Sequence, residues 1–309
     1  MKKVLVTGAT GFVGGALVRK LVSIGYEVSI IIRQQSNLWR LQDIISNLKI
    51  YYADLKDFSS VLQVIKNVKP EIIFHLATYG GYSSQKDTIE IIHSNFLGTV
   101  NLLSACQTID FECFVNTGSS SEYGIKDHPM SEMDYVKPNS DYGVSKTAAT
   151  LHCQSEAIRK NLPIVNLRLF SPFGPWDDKT RYIPFVINSF LEKKPIKLSN
   201  PSYVRDYIFI EDVIQIYLKF LDGTCFRGEI FNVGSGSQRS LESIIETVKM
   251  KTGLNPSIEW GALTHKQMEP AVWQADITKA KLMLDFAPTH SFEEGIEKTV
   301  NWIKEGGYN

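Results

Sequence analysis

The chain has 309 residues, enough for a large hydrophobic core and for one or two domains. Lys and Arg together number 33, as do Asp and Glu, and this balance argues against non-specific binding to nucleic acid or to an anionic membrane surface. We also expect neither a signal peptide nor a membrane span, because the N-terminal apolar run ends at Thr7-Gly8 and no other apolar stretch is long enough.

The cysteines indicate the cellular compartment. The chain contains four of them, at Cys106, Cys113, Cys153 and Cys225. Their spacing matches neither a metal site nor a disulfide framework. We therefore expect reduced, mostly buried thiols in a cytoplasmic protein, with no metal site.

The first predicted elements are a buried strand, a glycine turn and an amphipathic helix. The strand covers residues 3–6, and the turn runs from Gly8 through Gly11 to Gly14. In such a turn one glycine allows the tight bend, one admits backbone N–H groups to a pyrophosphate, and one lets helix and strand pack closely. The partly positive helix N-terminus can then hold phosphates. The pattern favours a dinucleotide site, although an ordinary tight turn would carry the same glycines.

The remainder of the first half alternates strands with helices. Further strands are predicted at 28–32, 50–53, 72–76, 113–116 and 164–169, and helices at 61–68, 89–106 and 142–160. This alternation predicts an α/β fold with a doubly wound parallel (Rossmann) sheet over residues 1–170.

Beyond Phe170 the pattern changes to a region rich in Pro and Gly. A helix ending at Gly253 and a last helix that begins with a Ser291–Glu294 capping box are predicted there. We expect residues 171–309 to form mainly a smaller α/β substrate domain, with some segments returning to the first domain.

The residue after the second strand bears on the choice of cofactor. An acidic residue at this position would bind the ribose hydroxyls of NAD, but the chain has Arg33, with Arg40 nearby. A guanidinium suits a 2′-phosphate because its contacts are charge-assisted and often bidentate. We therefore favour NADP(H) and keep NAD(H) possible, since both arginines could also be solvated surface charges. Asp54 and Leu55, after the third strand, are placed to reach the adenine.

Tyr142 and Lys146 give the sharpest chemical signal. They are four residues apart and so share one face of a helix. A nearby ammonium favours the phenolate and lowers a tyrosine pKa from about 10 towards neutrality. Tyr142 could then act as general acid or base for an alcohol–ketone pair, and Lys146 could also bind a ribose. Alone, such a pair would be read as a solvated helix face.

Hydroxyl groups follow the fifth predicted strand, at the edge of the sheet where ligands bind in such folds. They belong to Ser119, Ser120 and Ser121. A serine there can hold the substrate oxygen without acting as a nucleophile. A serine hydrolase is not supported, since no His and acid arrangement accompanies these residues and Gly-x-Ser-x-Gly is absent.

Eight motifs then occur in order along almost the whole chain, and together they resemble the extended short-chain dehydrogenases/reductases that act on nucleotide sugars. This family contains epimerases, 4,6-dehydratases and 4-keto reductases. The motifs are Thr7 to Gly14, His75-Leu76-Ala77, Asn95 to Asn101, Ser119 to Gly124, Tyr142 with Lys146, Arg168 to Pro175, Arg205 to Ile208 with Asp212, and Asn232-Val233-Gly234.

The resemblance implies roles for individual residues. It implies that the turn holds the pyrophosphate through Gly8, Gly11, Phe12, Val13 and Gly14, that Asp54 and Leu55 meet the adenine, and that Leu76 and Ala77 line the cofactor path. It implies that Tyr142 is the acid/base and Lys146 its partner. Ser119 is the implied catalytic hydroxyl because it lies four residues before Tyr123. The implied substrate-binding residues are Ser119, Ser120, Ser121, Ser171 and Arg205.

Three departures from the family pattern narrow the function. The dehydratases place an acid at one or both positions after the catalytic hydroxyl, where this chain has Ser120 and Ser121, so dehydration is disfavoured. Glu122 comes one residue later and is expected to point elsewhere. Ser171 replaces the usual Asn, and the usual Arg is missing around Met268-Glu269-Pro270.

Two enzymatic readings remain. A reductase would deliver hydride from NADPH to a 4-keto sugar while Tyr142 protonates the oxygen. A 4-epimerase would oxidise C4 of the sugar and then reduce the other face of the same carbon, commonly with bound NAD. Arg33 favours the reductase slightly. A non-catalytic dinucleotide sensor is the third alternative.

By the same resemblance the helices over 89–106 and 142–160 would form a homodimer interface. We expect His75 and Cys106 to be buried structural residues and Asn95 to be either a hydrogen-bonding or a plain helix residue.

Overall fold

A seven-stranded parallel sheet forms the centre of the protein in a computed structural model that describes residues 2–82, 84–263 and 270–308. Its order, β10-β6-β5-β4-β1-β2-β3, places the switch in winding direction between β1 and β4. The predicted doubly wound α/β fold is therefore confirmed. Its strands are β1 (Lys3–Thr7), β2 (Glu27–Ile32), β3 (Leu48–Tyr52), β4 (Ile72–His75), β5 (Cys113–Ser119), β6 (Ile164–Leu169) and β10 (Ile230–Val233).

Among the described residues, five further short strands form two small sheets. One has the order β11-β9-β7 and the other pairs β12 with β8. Their bounds are Ser171–Phe173 for β7, Ile196–Lys197 for β8, Val204–Phe209 for β9, Gln238–Ser240 for β11 and Ile258–Glu259 for β12. In the first of these sheets, Ser171 on β7 lies opposite Tyr207 on β9.

The helices begin and end where local chemistry favours it. Asp57 caps α2 by accepting from the N–H of Ser59, Ser140 caps α5, and the predicted Ser291–Glu294 capping box is present at α10. The helices are α1 (Phe12–Ser23), α2 (Phe58–Val68), α3 (Thr88–Ile92), α4 (Gly98–Cys106), α5 (Asp141–Lys160), α6 (Tyr182–Leu191), α7 (Ile210–Leu218), α8 (Leu241–Thr252), α9 (Thr278–Leu284) and α10 (Phe292–Lys304). Short 3₁₀ helices cover Trp39–Asn47 and Ser120–Glu122.

Two elements differ from the sequence-based prediction. The single helix expected over 89–106 contains a π-helical turn, His93–Leu97, between α3 and α4. Such turns occur where side chains make specific contacts, and Asn95 in this turn is fully buried. Strand β5 continues three residues beyond its predicted end because Ser119 still pairs with Leu169 of β6.

The chain divides into two compact units. The first comprises residues 1–124, 132–169 and 214–232, and the second comprises 125–131, 170–213 and 233–309. Residues 214–232 thus lie beyond the predicted boundary at residue 170 and belong to the first unit. Its core is apolar, with Leu5, Phe74 and Phe114 fully buried in the strands. No helix in the described part of the chain is both long and apolar enough to cross a membrane.

Candidate active site

The glycine turn after β1 leaves no room for side chains. Gly8 has a φ of +70°, and a Cβ atom there would lie 2.4 Å from the backbone carbon of Leu76. A Cβ atom on Gly14 would lie 2.2 Å from the carbonyl oxygen of Gly8. Gly11 is the N-cap residue of helix α1, which has no side-chain cap and no acidic residue in its first turn. The first N–H groups of α1, including those of Phe12 and Val13, therefore have no side-chain cap, and a helix end of this kind can bind an anion.

The two arginines that follow β2 have different surroundings. The side chain of Arg33 is exposed, and its backbone N–H donates to the hydroxyl of Ser36 at 3.1 Å. Arg40 is buried, donates to the carbonyl of Thr10 at 3.1 Å and lies over the ring of Trp39 at 4.3 Å. Arg40 is therefore not a solvated surface charge. Its role differs from that of Arg33, because its side chain stabilises the glycine turn by bonding to Thr10.

The residues expected to face the cofactor lie in turns after β3 and β4. Asp54 is half-buried, and its carboxylate accepts from the N–H of Lys56 at 2.9 Å. The carbonyl of Leu55 accepts from the amide of Asn101 at 2.9 Å. Leu76 is buried beside Gly8, and the N–H of Ala77 donates to the hydroxyl of Thr7 at 3.3 Å. The ends of β1 and β4 are thereby joined next to the glycine turn.

His75 is a buried structural link between two threonines. Its Nδ1 lies 2.7 Å from the hydroxyl of Thr7, and its Nε2 lies 2.9 Å from the hydroxyl of Thr99. Burial, with a smaller contribution from Lys146, lowers the pKa of His75 to about 3, so the ring is neutral. Cys106 is also fully buried, as the sequence led us to expect.

Helix α5 carries Tyr142 and Lys146 one turn apart. Tyr142 is half-buried, whereas Lys146 is only 3% exposed. Within the described part of the chain, no hydrogen bond or ion pair reaches the ammonium of Lys146. Burial lowers the pKa of Lys146 to about 8, and the negative charge of Glu122 opposes that change. A buried ammonium of this kind needs an external partner, such as the hydroxyls of a ribose.

Ser119 ends β5 and begins the 3₁₀ turn that holds the other two serines. Its hydroxyl accepts from the N–H of Ser121 at 3.2 Å, and its own N–H donates to Glu122 at 2.8 Å. Ser119 and Ser120 are buried, and Ser121 is half-buried. The serine-rich segment is therefore an ordered turn at the carboxyl end of the sheet.

Glu122 and Arg168 form a buried ion pair that the sequence motifs do not indicate. Their side chains are 0% and 2% exposed, and Nε of Arg168 donates to Oε2 of Glu122 at 2.7 Å. Arg168 also lies over the ring of Tyr123, whose hydroxyl donates to Asn232 at 2.7 Å. Both residues stood in recognised motifs, but their pairing across 46 residues carried no sequence signal.

Asn95 is a hydrogen-bonding residue. Its amide nitrogen donates to the carbonyl of Tyr79 at 2.7 Å and to the hydroxyl of Ser145 at 2.9 Å, and its oxygen accepts from the N–H of Tyr79 at 2.7 Å. Of the two expectations for Asn95, the plain helix residue was therefore wrong.

The predicted substrate residues outside the first unit belong to the small β11-β9-β7 sheet of the second. Ser171 begins β7, and Arg205 lies on β9. Arg205 donates to the carbonyl of Val204 and lies 5.0 Å from the ring centroid of Trp273, a neighbour that no sequence pattern indicated. The departure noted at Met268 and Glu269 lies outside the described residues. Within the described ranges, no cluster of three or more His, Cys, Asp and Glu side chains could hold a metal ion.

A doubly wound sheet with a glycine turn after its first strand is the architecture of a dinucleotide-binding enzyme. The chain belongs to the NAD-dependent epimerase/dehydratase family, whose model matches residues 4–234. It is 29% identical to a UDP-glucuronate 4-epimerase of Thermodesulfobacterium geofontis, over 97% of this chain and 96% of that protein. It is 27% identical to a dTDP-4-dehydro-6-deoxyglucose reductase of Escherichia coli, over 97% of both.

A solved structure is similar over nearly the whole chain. The UDP-glucuronic acid 4-epimerase from Bacillus cereus, in complex with UDP-glucuronic acid and NAD, matches with a TM-score of 0.87 and 28% identity. The match covers 98% of this chain and 99% of that one. Family and fold together identify this protein as an enzyme of the epimerase/dehydratase family.

Proposed function

We propose that the protein catalyses oxidation or reduction at C4 of a nucleotide-linked sugar, using NADP(H) or NAD(H). The observation that carries this proposal is the pair on α5, in which Tyr142 stands one turn before a buried Lys146 whose ammonium has no partner in the described part of the chain. The glycine turn fits a dinucleotide because Gly8 and Gly14 are too crowded for any Cβ atom. The cofactor would supply or accept the hydride.

The protein's own residues bind the oxygen and move its proton. Tyr142 donates a proton to the sugar oxygen during reduction or accepts one during oxidation. The Lys146 ammonium stabilises the phenolate form of Tyr142 and binds ribose hydroxyls. Ser119, held at the end of β5, orients the same sugar oxygen through its hydroxyl. The placement of Tyr142 and Lys146 on α5, with Ser119 at the end of β5, thus supports acid/base catalysis on an alcohol–ketone pair.

The leading form of the proposal is an NADPH-dependent reduction of a 4-keto sugar. Arg33 supports it, since this exposed cation follows β2 where an acidic residue would favour NAD. Arg40 supports it less than the sequence suggested, because its guanidinium is engaged by Thr10 and Trp39.

The second form is an NAD-dependent 4-epimerase. It is favoured by the 4-epimerases among the similar proteins, one of which was solved with NAD. In that reaction Tyr142 would accept the C4 hydroxyl proton and return it after the keto sugar has turned over. The same residues serve both forms, and the cofactor that the protein retains distinguishes them.

Dehydration is disfavoured by the surroundings of Glu122. That reaction would need an acid beside the catalytic hydroxyl, but the two positions after Ser119 are Ser120 and Ser121. Glu122 is fully buried, and its carboxylate is engaged by Arg168 and by the N–H of Ser119. A carboxylate so engaged is poorly suited to exchanging protons with a sugar.

Ser171 and Arg205 are also proposed to bind the nucleotide sugar. Arg205, placed against the ring of Trp273, offers a cation for a diphosphate, and Ser171 offers a hydroxyl for the sugar. Ser120 and Ser121 are proposed to contact the sugar as well.

We also propose a homodimer formed through α5 and the preceding helices. Val144, Leu151 and Ile158 recur every seven residues on α5 and are 49%, 46% and 69% exposed. Ile89 and Leu97 are likewise exposed. Apolar surface of this extent, at helical spacing, favours burial against a second copy.

A cytoplasmic location is part of the proposal. All four cysteines are free thiols, and three of them are buried. Thiols persist in reducing compartments, whereas secreted proteins more often pair them. The reaction proposed above would draw on the nicotinamide cofactors found there.

The first experiment identifies the cofactor. Purified protein is denatured, any released dinucleotide is identified by mass spectrometry, and stripped protein is titrated with NADPH and NADH. Preferential binding of NADPH with little cofactor retained would support the reductase, to be assayed on 4-keto nucleotide sugars. Tightly retained NAD would overturn the NADPH form and favour the epimerase. Failure to bind either dinucleotide would overturn the proposed function as a whole.

A further inference from the structure

The carboxylate of Glu122 joins three elements of the first unit. Its Oε1 accepts from the N–H of Ser119 at 2.8 Å and from the hydroxyl of Thr150 at 3.0 Å, and its Oε2 accepts from Arg168 at 2.7 Å. Ser119 ends β5, Thr150 lies on α5, and Arg168 lies on β6. The side chain is fully buried, so each of these contacts is made away from water.

Thr150 lies one helical turn after Lys146, as Lys146 lies one turn after Tyr142. Glu122 therefore contacts the same face of α5 that carries the proposed acid/base pair. It also contacts the backbone of Ser119, the proposed catalytic hydroxyl. The Glu122 carboxylate therefore contacts both the end of β5, which carries Ser119, and α5, which carries Tyr142 and Lys146.

The charges around the Lys146 ammonium come from several elements. Glu122, on the turn after β5, favours its charged form, as does Cys153 on α5. His75 on β4 is neutral, because burial lowers its pKa to about 3. Arg168 on β6 carries a positive charge and forms an ion pair with Glu122. Tyr142 is a further titratable group on this helix face.

We propose that Glu122 is a positioning residue that fixes the Ser119 turn against α5 and supplies the buried negative charge that keeps Lys146 protonated. This inference rests on the proposed function for its catalytic meaning. The effect of Glu122 on the pKa of Lys146 is a property of the protein without cofactor or substrate. A buried carboxylate acts strongly on a nearby ammonium because little water screens the interaction.

The test separates charge from shape with Glu122→Gln. Glutamine keeps an oxygen that accepts from Ser119, but it removes the negative charge. The pKa of Lys146 is measured by NMR titration of carbon-13-labelled lysine, with the resonance assigned by its loss in Lys146→Met. We expect the pKa of about 8 in the unaltered protein to fall by about one unit in Glu122→Gln. An unchanged pKa would overturn the proposal.

Two matched controls isolate the carboxylate. Thr150→Val removes one hydrogen bond and keeps the charge, so the Lys146 titration should not move. Glu156→Gln removes another carboxylate from α5, one that pairs with Arg159 and Lys160, and should not move it either. A shift of equal size in either control would show a general effect of altered packing and would contradict the proposal.

A second variant covers the case in which Glu122→Gln does not fold. Glu122→Gln combined with Arg168→Gln replaces the ion pair by two neutral amides, which avoids a lone buried charge. Because this variant also removes the negative charge of Glu122, the titration should still move to lower pH. A Lys146 pKa equal to that of the unaltered protein in this double variant would refute the inference.

Turnover supplies the last readout once a substrate is found. Glu122→Gln should shift the alkaline limb of kcat to lower pH while keeping near-normal kcat at lower pH, whereas Glu122→Leu, which cannot accept from Ser119, should lose turnover at every pH. Identical pH profiles for Glu122→Gln and the unaltered protein would contradict the proposal. Because the NMR titration needs no substrate, a protein inactive on nucleotide sugars would overturn the proposed function without altering this result.

Discussion

The side-chain amide of Asn95 donates a 2.9 Å hydrogen bond to the hydroxyl of Ser145, the residue directly before Lys146 on α5. The same side chain binds both the N–H and the carbonyl of Tyr79 in the loop after β4. Asn95 thus ties that loop to the helix that carries the proposed acid/base pair. The π-helical turn His93–Leu97 is the local deformation that contains it.

Replacing Asn95 by Ala should lower the free energy of unfolding by about 2 kcal/mol or more, since it removes the hydrogen bonds of a fully buried amide to the backbone of Tyr79 and to the hydroxyl of Ser145. Urea denaturation measures this change. Asn101→Ala is the matched control, because the Asn101 amide bonds in a partly exposed setting and should cost less. Equal losses in the two variants would contradict the assigned role of Asn95.

Replacing Tyr142 by Phe removes only the hydroxyl that is proposed to exchange a proton with the sugar. Turnover should fall by about 10² to 10⁴-fold, with dinucleotide affinity unchanged. Steady-state kinetics and a cofactor titration measure the two quantities. Tyr135→Phe, at a residue 92% exposed, is the control and should keep full activity. Wild-type turnover in Tyr142→Phe would exclude Tyr142 from the mechanism.

The pH dependence of turnover should carry the signature of Lys146. Burial lowers its pKa to about 8, so the ammonium loses its proton as the pH rises through that value. Turnover that depends on the ammonium should therefore fall above about pH 8. Lys146→Arg tests the assignment, because a guanidinium stays protonated and should abolish the alkaline decline whatever activity remains. An unaltered decline in that variant would assign it to another group.

As the pH rises and turnover falls, the contribution of Lys146 to the free energy of unfolding should increase. An unfolded lysine has a pKa of about 10.4, so between about pH 8 and that value the unfolded chain binds more protons than the folded one. The contribution of Lys146 to the free energy of unfolding should therefore increase with pH over this interval. Comparing Lys146→Met with the unaltered protein by urea denaturation at several pH values isolates it, and identical pH dependences would contradict the low pKa.

Replacing Arg33 by Asp should weaken NADPH binding by about tenfold or more, because a repulsive carboxylate replaces a charge-assisted contact to the 2′-phosphate. NADH binding should be retained or improved. Fluorescence titration of both cofactors measures the ratio. Arg227→Asp alters another exposed arginine, one that bonds to the carbonyl of Asn161, and should leave the ratio unchanged. Equal effects of Arg33→Asp on both cofactors would remove the argument for NADP(H).

Replacing Leu151 by Lys should convert the proposed dimer to a monomer, because it places a charge in the middle of the apolar face of α5. Sedimentation velocity over a range of concentrations measures the change. Met250→Lys on α8 alters a side chain that is 70% exposed and should leave the dimer intact. A monomer in the unaltered protein would disprove the dimer itself.

The sequence by itself determined the elements whose causes are local. The glycine turn after β1, the cap of α8 at Gly253 and the capping box of α10 depend on residues within a few positions of one another. The alternation of apolar strands and amphipathic helices likewise predicted the doubly wound sheet, because a parallel strand must be buried on both faces. The spacing of Tyr142 and Lys146 was sufficient to predict a shared helix face.

Only the tertiary structure decided what depends on contacts between distant segments. It assigned Arg40 to the glycine turn, introduced the π-helical turn that buries Asn95, and returned β10 to the main sheet. It also joined Glu122 to Arg168 across 46 residues. A buried polar side chain must find its partner wherever folding brings one, and no local pattern encodes that distance.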